Sequence, residues 1–466
     1  MTKQQLTTME QYEQYNHFFF VGIAGTGMSA IAQYLKGIGK SVSGSDRLFN
    51  NDGEILIKKQ FEAQGIHCHL QDASGIDSSV DVLIISTAIE ESNVELQKAR
   101  SLGIPVMKRS QLLAEISKTK RTIAVGGTSG KSTTTAMIFH ILQQCGVQPS
   151  IISGAGLSVL QEKGYPGNAW VDKGEWLVIE ADESDGSIVG YRPEIALLLN
   201  VDRDHKEYDE LMDLFGQFKS HTSRCFIVNQ SHPMSKQLSQ DTRLDFGTET
   251  THAGFNSTDF KQEGFSITFQ CNHIGVEIPV IGRHNMENAT AAIAACSAVG
   301  ISIEESAKAL KSYQGIYRRT QLSGTSNGIF IIDDFAHNPA EVVCAMKACQ
   351  QVGKRLFAWF QPHGFGPLKF MHKELEEEVV AALRSCDTFI LSDVYYAGGT
   401  VSRDVTSTDV AEAMQKKSQQ VQFFPDRKEM LPFLKEKCQP GDAILVMGAR
   451  DTTLSDFAKE IVDYLK

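Results

Sequence analysis

The stretch RTIAVGGTSGKSTTT, residues 121–135, decides the fold of its part of the chain. An apolar run leads into a glycine-rich turn, and apolar positions then recur at helical spacing as far as Cys145. A strand, a glycine turn and a helix in this order direct backbone N–H groups and the positive end of the helix dipole at one point, where an anion is favoured. The stretch therefore predicts an anion site at the start of the helix.

The turn departs from the usual P-loop pattern G-x-x-x-x-G-K-[ST], because Val125 stands where the first glycine belongs. Lys131 can still reach phosphate oxygens, and Ser132 can offer a hydroxyl to Mg²⁺. On the residues alone, a second interpretation is open, in which Ser132 or Thr133 simply caps the helix. The first is favoured by Glu180, which ends an apolar strand where a carboxylate would complete a metal site.

Composition narrows the class of protein. The chain has 466 residues and a formal net charge of −11, which predicts several globular domains and makes nucleic acid an improbable partner. Its nine cysteines include no C-x-x-C pair, which favours a reducing compartment. Neither a signal peptide nor an apolar run long enough for a bilayer is present, so we predict a cytoplasmic protein without membrane insertion.

Strand and helix patterns alternate in three segments, which predicts an α/β protein of three domains. We place them at residues 1–118, 119–319 and 320–466. The first and third are predicted to be Rossmann-like, and the second to be an α/β domain of the P-loop ATPase type. Side chains just past the carboxyl ends of parallel strands face the ligand crevice, as Glu180 and His205 would.

A second glycine turn, Gly25-Thr26-Gly27, also lies between a strand and a helix. With Ala30 it fits the pattern G-x-G-x-x-A, and Asp46 follows at the spacing of a ribose-binding acid. An NAD-dependent dehydrogenase is therefore an alternative hypothesis. It explains nothing about residues 126–205.

Nine short motifs occur in order between about residues 17 and 450. They are GIAGTGMSAIA, SVSGSD, GGTSGKSTTT, VIEADESD, NVDRDH, IGRHNMENATAA, YRRTQ, DDFAHNP and QPH. Together they resemble the Mur ligase family, and most closely its alanine-adding branch. The loop of that family is G-T-x-G-K-[ST]-T, whose first glycine corresponds to Gly127.

The resemblance implies an ATP-dependent ligase of peptidoglycan precursor synthesis that requires Mg²⁺. It would join L-alanine, or a related amine acceptor, to the lactoyl carboxylate of UDP-N-acetylmuramate through an acyl phosphate. The first domain would hold the UDP-sugar, the second ATP, and the third the amino acid or peptide acceptor.

The resemblance also implies roles for individual residues. The residues implied for the UDP-sugar are Gly25, Thr26, Gly27, Met28, Ser29, Ser45, Asp46, Ser86, Ala88 and Asn93. Those implied for ATP are Gly127, Thr128, Ser129, Gly130, Lys131, Ser132, Thr133, His284, Asn285, Asn288, Arg319 and Asp334. Metal would be bound by Ser132, Glu180 and His205, and the acceptor by His337 and His363. Catalysis would depend on Lys131, Glu180, His205 and Arg319.

Three motifs depart from the family pattern. Ser129 replaces a histidine of the loop, and Asn338 replaces a second histidine after His337. Gly364 and Pro367 stand where alanine-adding members have arginines, which suit a carboxylate. Two alternatives within the family stay open for this reason: a recycling ligase that adds an intact tripeptide, and a paralogue with changed or lost acceptor activity. A protein that binds nucleotide without chemistry is a further hypothesis.

Overall fold

The structure is a computed structural model that describes residues 12–50, 54–202, 206–250, 252–396 and 403–466. The described residues divide into two compact units. Unit 1 takes residues 1–259, 269–276 and 287–314, and unit 2 takes residues 260–268, 277–286 and 315–466. The domain boundaries proposed above stay a prediction. No helix in the described ranges has the length and apolarity needed to cross a bilayer.

The first sheet of unit 1 has five parallel strands in the order β3-β2-β1-β4-β5. Its strands are β1 (His17–Val21), β2 (Ser41–Ser45), β3 (His67–His69), β4 (Val82–Ile85) and β5 (Val106–Lys108). Its helices are α1 (Thr26–Gly37), α2 (Leu56–Ala63), α3 (Val94–Ser101) and α4 (Arg109–Ile116). The central strand β1 carries three consecutive buried phenylalanines, as expected for a parallel strand covered on both faces.

The second sheet of unit 1 has six strands in the order β11-β10-β6-β9-β7-β8. Its strands are β6 (Arg121–Gly126), β7 (Ser150–Ile152), β8 (Ala169–Trp170), β9 (Trp176–Glu180), β10 (Ile195–Leu198) and β11 (Cys225–Val228). The accompanying helices are α5 (Lys131–Gln144), α6 (Ser158–Gln161) and α7 (Tyr208–Ser220). All neighbours pair in parallel except β7 and β8. The strand and helix predicted on either side of the glycine turn are therefore confirmed as β6 and α5.

The two sheets of unit 1 share one hydrophobic core. Phe20 and Leu35 of the first sheet and its helices belong to the same buried cluster as Leu177 and Leu198 of the second. Helix α1 packs on β8, so the glycine turn at its start is tied to the second sheet.

A small sheet follows, with the order β12-β13-β14-β15. Its strands are β12 (Phe246–Thr248), β13 (Phe255–Glu263), β14 (Ser266–Cys271) and β15 (Ile274–Ile278), and the next helices are α8 (His284–Val299) and α9 (Ile303–Leu310). The sequence patterns did not predict this sheet, because β13 alternates half-buried and exposed polar residues and has no apolar run.

The last sheet, in unit 2, has the order β16-β17-β21-β18-β19-β20 and is parallel except at its edge strand β16. Its strands are β16 (Gln321–Ser326), β17 (Ile329–Asp334), β18 (Leu356–Phe360), β19 (Thr388–Leu391), β20 (Val421–Phe423) and β21 (Ala443–Met447). Its helices are α10 (Pro339–Cys349), α11 (Phe365–Ala382), α12 (Ser407–Lys417), α13 (Met430–Lys437) and α14 (Leu454–Tyr464). The α/β class is confirmed. Helix α11 begins at Phe365, directly after Gly364 with its φ of +76°.

Candidate active site

The loop before α5 has a backbone shape that depends on glycine. Gly127 has φ +135° and Gly130 has φ +83°, a region that side chains rarely adopt. A Cβ on Gly130 would also lie 2.6 Å from Oδ1 of Asn288. The loop therefore keeps the open backbone that a phosphate group needs at the helix N-terminus.

Asn200, just past β10, fixes this loop from the side. Its Oδ1 accepts hydrogen bonds from the Ser129 backbone N–H at 2.8 Å and from the Thr128 hydroxyl at 2.9 Å. Its Nδ2 donates to the Ser129 carbonyl at 3.1 Å. Because these bonds use the Ser129 backbone, the serine side chain at this position does not alter them. Asn200 was not among the predicted site residues.

Lys131 lies at the first position of α5 and is held by its surroundings. Its Nζ donates to the Gly127 carbonyl at 2.7 Å and to Oε2 of Glu183 at 2.9 Å. Burial alone lowers the pKa of Lys131, but three nearby carboxylates outweigh burial and raise it. They belong to Glu183, Glu180 and Asp182. The lysine therefore carries a full positive charge beside the loop.

Ser132 and Glu180 lie together at the carboxyl edge of the sheet. The Ser132 hydroxyl donates to Oε2 of Glu180 at 2.9 Å, and the Gly154 N–H donates to the same oxygen at 2.8 Å. A hydroxyl and a carboxylate fit Mg²⁺, which usually takes few protein ligands and completes its shell with phosphate oxygens and water. Among the described residues, no group of three or more histidine, cysteine, aspartate or glutamate side chains could hold a metal ion. His205, the third predicted ligand, lies outside the described residues.

A cavity of about 450 Å³ joins the glycine turn of the first sheet to Glu180 of the second. The predicted sugar-binding residues Gly25, Thr26, Gly27, Met28 and Ser86 line it. Ser153, Gly154, Glu180 and Asp182 line it from the second sheet. The volume is in the range of small-molecule sites, and both walls belong to unit 1.

Arg109, at the start of α4, also lines this cavity and was missed in the sequence. Its guanidinium lies 3.6 Å from the Asp185 carboxylate, and a Cβ on Gly27 would lie 3.0 Å from its Nη1. It thus places a cation beside the glycine turn, where an anionic ligand would be stabilised. In the sequence, the only indication of this role was the pair Lys108-Arg109 at the end of a short strand pattern.

The remaining residues predicted for the UDP-sugar take other roles in the structure. Asp46 accepts a hydrogen bond from the Ala24 N–H at 3.0 Å and so supports the turn. Ser29 is buried and donates to the Thr26 carbonyl at 2.9 Å. Ala88 is exposed, while Asn93 caps α3 by accepting two backbone N–H bonds. Neither Ala88 nor Asn93 is a lining residue of the cavity.

Ser45, at the end of β2, is fully buried and does not face the cavity. Its hydroxyl donates to Oε2 of Glu95 at 2.7 Å. Burial of Glu95 raises the pKa of its carboxyl to about 7, although the bond from Ser45 acts in the opposite direction. The serine therefore stabilises a buried acid beneath the end of the strand.

Three of the residues predicted for ATP, His284, Asn285 and Asn288, lie in the first turns of α8. The Asn285 side chain donates to the Ile281 carbonyl at 2.7 Å, and Cys344 Sγ lies 3.1 Å from Nδ1 of His284. Asn288 accepts from the Thr134 hydroxyl at 3.3 Å, which ties its turn of α8 to α5 in unit 1. Thr133 is a partly exposed residue of the first turn of α5.

In unit 2, the two arginines of YRRTQ differ in environment. Arg318 is buried, pairs with Asp333 at 3.0 Å and donates to the Gly448 carbonyl at 2.8 Å. Arg319 is half-buried, with its guanidinium 5.4 Å from the Phe335 ring. Arg318 therefore stabilises the fold, whereas the side chain of Arg319 is accessible to a ligand.

Asp334, at the end of β17, is a buried acid that holds the loop after its strand. Its carboxylate accepts the N–H groups of Thr320 at 2.6 Å and Ala336 at 2.7 Å. Burial raises the pKa of Asp334, while the Arg319 charge and these two bonds act against burial.

His337 and His363 lie side by side at the carboxyl ends of β17 and β18, with ring centroids 5.3 Å apart. Nδ1 of His337 lies 3.0 Å from Oε2 of Glu341. Burial alone lowers the pKa of His337, but Glu341 outweighs burial and raises it, while the carboxyl pKa of Glu341 falls to about 2. His337 is therefore held toward its charged form.

The positions that lack arginine lie beside this histidine pair. Gly364 precedes α11, and Pro367 lies in its first turn. Arg403 places its guanidinium 5.1 Å from the rings of both Phe365 and Tyr396. A cation is therefore present next to α11, although not at the positions where the resemblance implies it.

Comparison with known proteins gives three family models in succession along the chain. The model of the Mur ligase family catalytic domain matches residues 17–121, that of the Mur ligase middle domain residues 125–296, and that of the Mur ligase glutamate ligase domain residues 318–450. The UDP-N-acetylmuramate–L-alanine ligase of Pelotomaculum thermopropionicum is 34% identical over 451 residues, which cover 93% of this chain and 95% of that one.

The chain belongs to the Mur ligase family.

It is accordingly an ATP-dependent, amide-forming ligase. The UDP-N-acetylmuramate–L-alanine ligase of a Geobacter species is also 34% identical, over 94% of this chain and 95% of its own. Among solved structures, UDP-N-acetylmuramate-alanine ligase from Thermotoga maritima matches with a TM-score of 0.78 and 23% identity, covering 96% of this chain and 98% of that one. A murein peptide ligase from Psychrobacter arcticus matches with a TM-score of 0.67 and 20% identity, with the same coverage. These two structural matches show that the chain shares the fold of those proteins.

Within this Mur ligase, unit 1 brings together the loop lysine, the Ser132–Glu180 pair and the first glycine turn. The dehydrogenase hypothesis has no role for this arrangement. Asn200 and Arg109 are additions that only the structure reveals, because each acts on residues far away in the sequence.

Proposed function

We propose that this Mur ligase uses ATP to join L-alanine to the lactoyl carboxylate of UDP-N-acetylmuramate. The names of its relatives, at 34% identity over nearly the whole chain, support the substrates. The single observation that carries the proposal is the continuous cavity from the glycine turn to Glu180, next to the phosphate-type loop. A sugar nucleotide on that turn would extend its carboxylate toward the loop.

The first chemical step meets like-charge repulsion, because a carboxylate oxygen must attack the γ-phosphorus of a triphosphate. The new C–O–P linkage forms as the bond to ADP breaks, giving an acyl phosphate. Lys131 is the cation fixed beside the loop, so we assign to it the neutralisation of the phosphate oxygens. Lys131 would exchange its hydrogen bond to Glu183 for one to a phosphate oxygen.

The second step is attack of the acceptor amine on the acyl carbon. The C–N bond forms through a tetrahedral intermediate, and inorganic phosphate leaves. His337, with its pKa raised by Glu341, is well placed by charge to orient an anionic acceptor beside His363. The neutral amine loses a proton in this step, and the phosphate leaves as hydrogen phosphate, which accounts for that proton.

Mg²⁺ is the metal that Ser132 and Glu180 would hold. When bound there, it supplies positive charge at the phosphate oxygens. His205 stays a predicted further ligand. The same proposal includes the UDP-sugar role of the first glycine turn. It also includes the ATP roles of residues 127–133, His284, Asn285, Asn288, Arg319 and Asp334.

A second acceptor is favoured by one feature of unit 2. Gly364 and Pro367 give the start of α11 no guanidinium, so an alanine carboxylate lacks the cations that the resemblance implies. An intact tripeptide is the alternative acceptor of the same activated sugar. The histidine pair and Arg403 would then contact a longer ligand.

The test is phosphate release from ATP and Mg²⁺ with UDP-N-acetylmuramate, using L-alanine, L-serine, glycine or the tripeptide in separate reactions. We expect release that requires both the sugar nucleotide and L-alanine. Release only with the tripeptide would establish the second acceptor. ATP binding without release under any condition would reject the ligase proposal for this chain.

A further inference from the structure

We propose that Asn168 is a positioning residue that fixes the distance between the sugar-nucleotide turn and the phosphoryl-transfer loop. The inference rests on the proposed function, because it assigns the two walls of the cavity to those two ligands. Asn168 lies just before β8, has only 3% of its surface exposed and does not line the cavity.

The side chain of Asn168 holds the first wall. Its Nδ2 donates to the Thr26 carbonyl at 2.8 Å and to the Ser29 hydroxyl at 2.7 Å. Its Oδ1 accepts from Nε2 of Gln33 at 2.6 Å, which fixes the orientation of the amide. All three partners belong to α1, and Thr26 is itself a lining residue of the cavity.

The backbone of Asn168 holds the second wall. Its carbonyl accepts the Ser153 N–H at 2.9 Å, and the next residue, Gly154, donates its N–H to Glu180 at 2.8 Å. Glu180 in turn accepts the Ser132 hydroxyl. One residue thus bridges the turn that would hold the diphosphate and the strand end that would hold the metal.

The consequence is geometric. A buried amide with three hydrogen bonds resists displacement, because any shift leaves polar groups without partners. A misplacement of about 1 Å between reacting groups can cost about 100-fold in rate. Asn168 should therefore act on the alignment of the sugar carboxylate with ATP and leave the affinity for ATP itself nearly unchanged.

The experiment compares steady-state constants for wild type, Asn168→Ala and Asn168→Asp, each shown to be folded by circular dichroism. We expect Asn168→Ala to lower kcat about 10-fold or more and to raise KM for UDP-N-acetylmuramate several-fold, with KM for ATP within about twofold. Asn168→Asp keeps the acceptor and loses both donors, so it should resemble the alanine variant. Gln33→Ala, which leaves both donors in place, should show a smaller effect in the same direction.

Gln60→Ala is the matched control. Its side-chain amide, on α2 of the first sheet, donates to the Tyr165 carbonyl, just before β8 of the second sheet, at 3.2 Å. Neither residue lines the cavity. Its kinetic constants should equal those of wild type. Asn168 variants with lowered thermal stability but unchanged kcat and KM, or with KM for ATP raised as much as KM for the sugar, would overturn the inference. Absence of turnover in the wild type would instead reject the proposed function. The ratios of kinetic constants between variant and wild type test only the role of Asn168.

Discussion

Lys131 illustrates how single residues set the electrostatics of this enzyme. Its side chain is 13% exposed and pairs with that of Glu183, which is 7% exposed, so neither charged side chain is well solvated. A buried ion pair of this kind contributes little net stability, but removal of one partner leaves an uncompensated charge. The pair is therefore better explained by the need for a fixed cation at the phosphate loop than by stability.

We expect Lys131→Ala to lower the rate of phosphate release by at least about 100-fold, because the charge that offsets phosphate repulsion is lost. The variant should also unfold at a lower temperature, since Glu183 loses its partner. Lys173→Ala, at an exposed position of the same unit, is the control and should behave as wild type. Turnover of Lys131→Ala at the wild-type rate would contradict the phosphate role.

Glu95 gives a prediction about pH. Its pKa is raised from 4.5 to about 7 by burial, so the folded state binds its proton more tightly than the unfolded state. The resulting stabilisation is fully present below pH 4.5 and is lost as pH rises through about 7. Glu95→Gln, which stays neutral, should therefore gain stability relative to wild type with rising pH, by up to about 3 kcal/mol.

Urea unfolding at pH 5, 6, 7 and 8 measures this difference. Glu162→Gln makes the same chemical change at an exposed position and should show no comparable trend. A stability difference for Glu95→Gln that is constant from pH 5 to 8 would show that the buried acid does not titrate as described.

The site residues that were predicted from the sequence differ from those that were missed in how far along the chain their partners lie. Lys131 and Ser132 begin the helix after a strand and its turn, and Glu180 ends a strand, so the local sequence pattern predicts where they lie. Asn200, Arg109 and Asn168 act on partners more than 70 residues away. A polar residue that buries its amide against a distant turn carries no periodic or spacing signal, and only the folded chain reveals it.

At the scale of elements, the strand β6, its loop and α5 depend on glycine at one position above all. Gly130→Ala must hold φ near +83° and place its Cβ 2.6 Å from Oδ1 of Asn288. We expect a loss of stability of about 1 kcal/mol from the backbone alone, and a higher KM for ATP from displacement of the loop.

Gly146→Ala, at the other end of α5, separates the two effects. Its φ is +78°, and an added Cβ would meet nothing within 4 Å. It should lose similar stability and keep the wild-type KM for ATP. Equal KM values for ATP in the two variants would mean that contact with Asn288 does not matter to the loop.

The elements also show which patterns are informative. The buried parallel strands β1, β9, β10 and β21 are short apolar runs, the pattern from which the α/β class was predicted. The small sheet β12–β15 was not, because a strand with one solvated face and charged residues resembles a loop in composition. The start of α11 is likewise hard to recognise in the sequence, because glycine and proline in its first turn weaken the helical pattern.

For the whole molecule, the division into two compact units gives a prediction about unfolding. The two sheets of unit 1 share a core, whereas unit 2 has clusters of its own. We expect calorimetry to show two transitions. UDP-N-acetylmuramate at 100 times its Kd should stabilise only one of them, by about 2.7 kcal/mol, because the cavity belongs to unit 1. Equal shifts of both transitions with this ligand alone would contradict the assignment.

The cavity described in unit 1 has a further consequence for how such enzymes diversify. Its lining, from Gly22 to Asp182, includes no residue of unit 2, whereas His337 and His363, which we propose for the acceptor, both belong to unit 2. Under the proposed function, the pocket for the sugar and the residues that contact the amine would thus be encoded in separate stretches of the gene. Mutations around Gly364 and Pro367 would then change the acceptor while the sugar pocket of unit 1 is inherited intact.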